Sequence, residues 1–278
     1  MGQEDLSKEI TALAALPDHR IGLVAAALTI ARSEYPDLDA SRYEGQLNDM
    51  AATLKSRIRK MPTSERVLDE VNRLIFEEAG FRGNRDEYYD PRNSFLNEVL
   101  DRKLGIPITL CVVYMEVGRR AGLPLYGIGF PGHFLTGLVT EKSRVFIDPF
   151  NEGRILSESD CIRMLHGGFG RSLPFKQSLL DPMWPKQILV RLLRNLKAVY
   201  WRRSQYLKAL QMIQWILILN PDSAPDLKER GLISEAIGDI PGAIKDLQRY
   251  LELSPAAEDE ETVRAMIERL KKSKTTIH

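Results

Sequence analysis

From Asp5 to about Ile75, apolar residues recur at steps of three and four, the spacing of helices packed along one face. Leu13 and Leu16, then Ile21, Val24, Ala25 and Leu28, form the first such series, and Pro36-Asp37 breaks it. Asp39 or Ser41 is placed to cap the next helix, which carries Leu47, Met50, Leu54 and Ile58. Pro62-Thr63-Ser64-Glu65 restarts a helix bearing Val67, Val71, Leu74 and Ile75, with Gly80 and Gly83 as its end. Residues 84–93 are polar and read as an ordered loop, in which Tyr88 and Tyr89 read as packing residues.

Ser94 opens a helix with Leu96, Val99 and Leu100 on one face. Gly105 sits where a C-cap glycine would, and Pro107 suits the first turn of the helix that follows. That helix, Pro107 to about Ala121, is apolar over most of its circumference and is predicted to be the central buried one. Thr109, Glu116 and Arg120 mark the stripe expected to meet water. After Gly122-Leu123-Pro124 the period changes. Leu125–Phe130, Phe134–Val139 and Arg144–Ile147 are short and β-favouring, separated by Pro-Gly and by a turn over Thr140–Ser143. They predict a small antiparallel sheet packed on the preceding helix, hence an α+β fold. Residues 151–153 carry a turn out of the sheet, Ser157–Met164 a short helix, and Gly167, Gly168, Gly170 and Pro174 a loop. This glycine run lacks the Lys-Ser/Thr and flanking strand of a phosphate loop.

From Pro185 onward the pattern is helical and repeats. Tyr206, Ala209, Ile213, Leu217 and Pro221 are each matched 34 residues later, by Ile240, Ala243, Leu247, Leu251 and Pro255. A helix–turn–helix period of that length, with a small residue at the crossing and Pro after the second helix, is the tetratricopeptide pattern. Two repeats are few for a free-standing array, so they are expected to lean on the preceding domain or on a second copy of the chain. Residues 258–272 read as a charged capping helix and Lys271–His278 as a frayed end. The expected division is residues 1–180 for the α+β domain with its N-terminal helices and 185–278 for the repeats.

Composition narrows the function classes. A formal charge of +1 gives no electrostatic footprint for nucleic acid or an anionic membrane. The acidic N-terminus lacks the apolar segment of a secretory signal, and Leu6 stands where an acylation motif after Gly2 needs Ser or Thr. No apolar run is long enough to span a bilayer. Two cysteines, Cys111 and Cys161, imply no disulfide framework and point to a reducing, cytoplasmic setting. Apart from His133, the histidines His19, His166 and His278 show no metal-ligand spacing, so neither zinc nor a cofactor is expected.

The candidate chemistry lies between Leu104 and Pro149, where Cys111, His133 and Asp148 follow in the order of a papain-like or transglutaminase-like thiol enzyme. The strings Asp90–Leu100, Leu104-Gly105-Ile106-Pro107-Ile108, Pro131-Gly132-His133-Phe134 and Ile147-Asp148-Pro149-Phe150 resemble the SirB-type family. That resemblance, over roughly residues 30–255, implies a transglutaminase-like domain followed by tetratricopeptide repeats. The wider transglutaminase-like superfamily places its nucleophilic cysteine after a Gly-x at the start of the central helix, fifteen residues before a Gly-Ile-Pro-like turn. Counted from Gly105 or from Gly122, that position is Pro107, whereas His133 and Asp148 match.

Cys111 stands four residues later, turned about 40° from position 107 and set about 6 Å further along the axis. It leaves the helix N-terminus that usually activates a thiol, which favours a core role for both cysteines. The resulting expectation is a degenerate-site binding or adaptor protein, with a ligand cleft around Asn97, Glu98, His133, Asp148 and Tyr114 and a protein or peptide partner on the repeats. The alternatives are a Cys111–His133–Asp148 acyl transferase or peptidase, or His133 and Asp148 acting as a general base on water.

Overall fold

The computed structural model describes residues 3–61, 63–140, 143–170 and 172–275. The sequence readings at Gly2, Pro62, the middle of the Thr140–Ser143 turn and His278 fall outside these residues. The chain divides into two compact units. One holds residues 16–192 with the start of the first helix, and the other holds Ser7–Ala15 with the chain from Leu193 onward.

In the first unit, α1 (Gln3–Ala15), shared with the second unit, precedes α2 (Leu23–Ala31), α3 (Ala40–Ile58) and α4 (Ser64–Asn72). Asp39 caps α3 by accepting from Ser41 N, and Thr63 caps α4 by accepting from Arg66 N. The chain after α4 continues as a π-helical turn over Arg73–Glu78. It then enters β1 (Arg82–Gly83), pairs it in parallel with β2 (Leu104–Gly105), and places α5 (Leu96–Arg102) between the two. Gly83 is therefore a strand residue and not a helix terminator. α5 ends at Lys103, whose φ of 60° makes it the left-handed cap expected at Gly105. Gly105 serves a different need: a Cβ there would stand 2.8 Å from Thr109 Oγ1.

Helix α6 (Pro107–Arg120) is the central element, buried along most of its length. Thr109 departs from the sequence reading. It is fully buried, because its hydroxyl is used at the helix start, accepting from Ile106 N at 3.1 Å and donating to Asn93 O at 2.8 Å. Against α6 lies an antiparallel sheet of β3 (Leu125–Ile128), β4 (Leu135–Val139), β5 (Arg144–Asp148), β6 (Arg154–Leu156) and, after α7 (Glu158–Phe169), β7 (Pro182–Met183). The strand order is β6-β5-β4-β3-β7. β6 and β7 are two short edge strands that the sequence did not mark. Tyr126, Ile128, Leu135 and Phe146 on one sheet face meet Cys161 and Leu165 of α7. These anchors and the Ser157 cap carry α7 through Gly167 and Gly168, where a loop was expected.

The second unit contains α8 (Pro185–Arg202) from Leu193 onward, then α9 (Tyr206–Leu219), α10 (Ala224–Ala236), α11 (Ile240–Leu253) and α12 (Glu260–Thr275). The 34-residue period maps onto α8–α9 and α10–α11, with Pro221 and Pro255 after the second helix of each pair. The small crossing residue acts as anticipated. Ala243 is fully buried in α11, and a Cβ on Gly231 of α10 would stand 2.9 Å from Leu247 and 3.3 Å from the Ala243 carbonyl. Trp215 is also fully buried, and its Nε1 donates to Ser7 Oγ at 3.1 Å, which ties α1 to this unit.

Candidate functional site

The β4–β5 pairing sets the site. Thr136 is registered with Ile147, so His133, just before β4, and Asp148, at the end of β5, arrive at the same end of the hairpin. Asp148 Oδ1 lies 2.9 Å from His133 Nε2 and accepts also from Phe150 N at 3.1 Å and Asn151 N at 3.3 Å. Asn151 Nδ2 donates to Asp148 Oδ2 at 2.6 Å. Burial pushes this carboxyl upward, but the hydrogen bonds from His133 and Asn151 more than reverse that and hold it below its ordinary value. Asp148 is 1% exposed and the His133 side chain 15%, so the ring forms the accessible half of the pair.

Residues that sequence reasoning missed surround the pair. Phe150 meets the His133 ring edge-on at 6.0 Å, with the Arg85 guanidinium 5.1 Å above the Phe150 ring. Phe150 packs on bare backbone, since a Cβ on Gly83 would stand 2.7 Å from it. Arg85 also donates to Asn151 Oδ1. Arg191 of α8 donates to the carbonyls of Phe130 and His133 and lies over the Phe134 ring, fixing the loop that presents His133. Tyr88, read as a packing residue, is 37% exposed, and Tyr89 is 52% exposed. Tyr88 meets Phe150 edge-on, so it borders the site. Asn151, three residues beyond Asp148, was legible as an Asx partner; Arg85 and Arg191 carry no local signal.

Cys111 lies in the core. It is fully buried, and its thiol donates to the Phe134 carbonyl at 3.4 Å. Burial pushes its pKa well up, against a smaller lowering by the neighbouring Thr136. No hydrogen bond joins it to His133 among the described residues. Cys161 is likewise a buried free thiol, raised by burial to about 11. Pro107 occupies the first turn of α6 and is itself buried.

The remaining expected cleft residues do not gather around His133. Tyr114 is fully buried, and its hydroxyl donates to Asn72 Oδ1 at 3.0 Å. Asn72 Nδ2 in turn donates to Gly153 O at 3.1 Å, so Tyr114 supports the turn after Asp148 from within. Asn97 and Glu98 line a separate pocket with Tyr35, Tyr43 and Asp101, which shares no lining residue with the His133–Asp148 cluster. A one-cleft arrangement fails because α5 presents Asn97 and Glu98 towards the residue 34–43 segment. Among the described residues no three His, Cys, Asp or Glu side chains are grouped to hold a metal ion.

With this geometry in view, the family relationships are direct. A profile described as transglutaminase-like superfamily matches residues 41–194, and one described as tetratricopeptide repeat matches 196–268. A UPF0162 protein of Xylella fastidiosa is 39% identical over 269 residues, spanning 96% of each chain. The chain belongs to the UPF0162 family. A UPF0162 protein of Vibrio cholerae is 33% identical over 208 residues, covering 74% of this chain and 77% of that one. The order of a transglutaminase-like domain followed by repeats, expected from the SirB-type resemblance, therefore holds. The UPF0162 core also has a relative in a different setting: mouse F-box only protein 21 is 32% identical over 114 residues, which is 38% of this chain and 18% of that protein. In this UPF0162 chain His133, Asp148, Asn151 and Arg191 all fall inside the transglutaminase-like match.

Proposed function

We propose that this protein is a non-catalytic, degenerate-site member of the transglutaminase-like superfamily, an adaptor that acts by binding in a reducing, cytoplasmic setting. The observation that carries this reading is the state of the thiol position. Pro107 stands at the start of α6, and Cys111, one turn further, is sealed in the core with its thiol on the Phe134 carbonyl. A thiol with its pKa raised by burial has little thiolate to offer as a nucleophile. The start of α6 is also occupied: Pro107 brings no N–H, and the Ile106 N–H is taken by Thr109. In this reading His133 and Asp148 shape a binding surface with Arg85, Phe150 and Tyr88.

The tetratricopeptide helices supply the protein-binding groove. A pocket of about 250 Å³ between α8 and α10 is lined by Ala198, Trp201, Leu232 and Ile233, with Lys197 and Glu229 beside them. Trp201 is 43% exposed, an aromatic anchor of the kind that dominates binding energy at interfaces.

Iodoacetamide labelling of the full chain across pH, compared with His133→Ala, tests the loss of thiol chemistry. Slow labelling, the same in both proteins, is expected; rapid labelling at neutral pH that vanishes in the variant overturns the proposal. For the groove, a partner found by cross-linking to the full chain is expected to be lost with Trp201→Ala and retained with His133→Ala.

A second reading keeps the His133–Asp148 pair as a general base acting on water. The 2.9 Å contact, with the ring partly open to solvent, favours it. A hydrolytic activity lost in His133→Ala and retained in Cys111→Ser would select it.

A further inference from the structure

The pocket between α8 and α10 combines four apolar side chains with one ion pair. Ala198 and Trp201 line it from α8, and Leu232 and Ile233 from α10. Its charged members are Lys197 and Glu229, and Lys197 Nζ donates to Glu229 Oε2 while lying 3.7 Å from Asp226 Oδ1. The Lys197 side chain is 12% exposed, so its ammonium is held between two carboxylates. A ligand carboxylate entering here would lose its water and meet Glu229 and Asp226 around an ammonium they already hold. An apolar side chain pays no such desolvation and gains the surfaces of Trp201, Leu232 and Ile233.

Volume sets the size of that side chain. A cavity of about 150 Å³ lined by Leu, Ile and Phe accommodates benzene. The pocket here, at about 250 Å³, has room for one aromatic ring with its methylene. Trp201 presents a ring against which it can pack, and Ala198, exposed on α8, is the small residue that leaves the opening. Charge sets what stands beside the ring. Glu229 is the accessible member of the ion pair, its side chain 49% exposed. Arg194, one turn before Lys197, is bonded to the buried Asp226. The accessible charge of the lining is therefore negative, and a cation next to the anchor complements it.

We propose that this pocket receives one aromatic side chain of phenylalanine size from a segment of another protein, with a lysine or arginine beside it facing Glu229. The inference rests on the adaptor role proposed for the repeats and adds the chemistry of the partner.

The test is a nuclear magnetic resonance titration of the full chain with three capped pentapeptides, Ser-Lys-Phe-Lys-Ser, Ser-Lys-Ala-Lys-Ser and Ser-Glu-Phe-Glu-Ser. Salt is set at about 0.15 M, where diffuse attraction is screened beyond about 8 Å. The readout is the Trp201 indole resonance, assigned by its loss in Trp201→Phe. The first peptide is expected to shift it saturably, the second to leave it unmoved, and the third to bind about fivefold more weakly or worse. Ala198→Leu, at an exposed helix position, fills the opening and is expected to weaken the first peptide about tenfold. Glu229→Gln is expected to bring the first and third peptides close to equal affinity. The indole resonance of the buried Trp215 reports that each variant is folded. A Trp201 resonance that none of the peptides moves overturns the proposal, as does equal response to the first two. Tight binding of the acidic peptide, or binding that Ala198→Leu leaves unchanged, overturns it as well. If the peptides fail while a cross-linked partner is still lost with Trp201→Ala, the adaptor role stands and only this inference falls. If the peptides discriminate as expected and no partner is ever cross-linked, this inference stands and the adaptor role falls.

Discussion

His133 Nε2 and Asp148 Oδ1 meet at 2.9 Å across the end of the β4–β5 hairpin, the accessible ring against a buried carboxylate. An ionised carboxylate only accepts, so Nε2 carries the hydrogen of this contact and Nδ1 is left facing away from it. The protein thus retains an oriented imidazole while the thiol is locked elsewhere. The carboxylate is also a structural knot, receiving donors from His133, Phe150 and Asn151.

Removing that knot is expected to be costly. Asp148→Ala leaves several buried donors without an acceptor and should lower unfolding free energy in urea by about 3 kcal/mol. His133→Ala, at the more open partner, should cost about 1 kcal/mol. The pH dependence follows from the direction of the shift. The folded-state pKa of Asp148 lies below its ordinary value, so its contribution is complete above the unfolded carboxyl pKa of about 4 and is lost as pH falls through the folded value. The stability gap between wild type and Asp148→Asn should therefore be widest near neutrality and narrow in acid. A gap that widens on acidification contradicts this account.

Gly153 is the second sensitive point. Its φ is 73°, and a Cβ there would stand 2.0 Å from Asn72 Oδ1, the atom that also receives the Tyr114 hydroxyl. Gly153→Ala should cost about 2 kcal/mol or more from backbone strain and the clash together. Because the turn follows Asp148 directly, the His133 ring resonances should shift in the same variant. Unchanged resonances would show that the turn and the pair are independent.

In the second unit, Asp226 is 2% exposed and is bonded by Arg194 Nε at 3.2 Å, with Lys197 Nζ 3.7 Å away. Burial lowers the Lys197 pKa, which the neighbouring Asp226 counteracts. Asp226→Ala removes the buried acceptor of Arg194 and Ser223 and leaves the largely buried Lys197 paired with Glu229 alone, and should cost about 3 kcal/mol. Lys197→Met in the same background should recover part of that loss, measured by urea unfolding. No recovery would show that Glu229 alone holds the Lys197 charge at no cost.

The helix crossing offers a steric test. Gly231→Val would drive a side chain into Leu247 and the Ala243 carbonyl, and should lower the stability of the repeat region by about 1–3 kcal/mol. Ala243→Gly, which adds no atoms at the same crossing, should cost about 1 kcal/mol through helix propensity.

Much of the fold was legible because its signals are local and periodic. The 34-residue match from Ala209 to Ala243, the apolar helix from Pro107, and the change to β-favouring residues after Pro124 each report one element's burial. β6 and β7 were not legible: strands of three and two residues are too short to show a period, and pairing alone defines them. Thr109 was misread because a hydroxyl on a helix reads as polar until its partners, Ile106 N and Asn93 O, are known.

For the site, the sequence by itself determined the residue types and their chain order: His133 before one strand, Asp148 at the end of the next, and Pro107 where the superfamily has its nucleophile. Adjacent strands bring their ends together through register, and register follows from alternation and turns. Only the tertiary structure decided which residues share a site. It gave His133 and Asp148 to Asn151, Arg85 and Arg191, buried Tyr114 as a support for the Gly153 turn, and moved Asn97 and Glu98 to a pocket of their own. The physical reason is that side-chain contacts between distant segments depend on how helices and sheet pack, and no local pattern of apolar and polar residues encodes that.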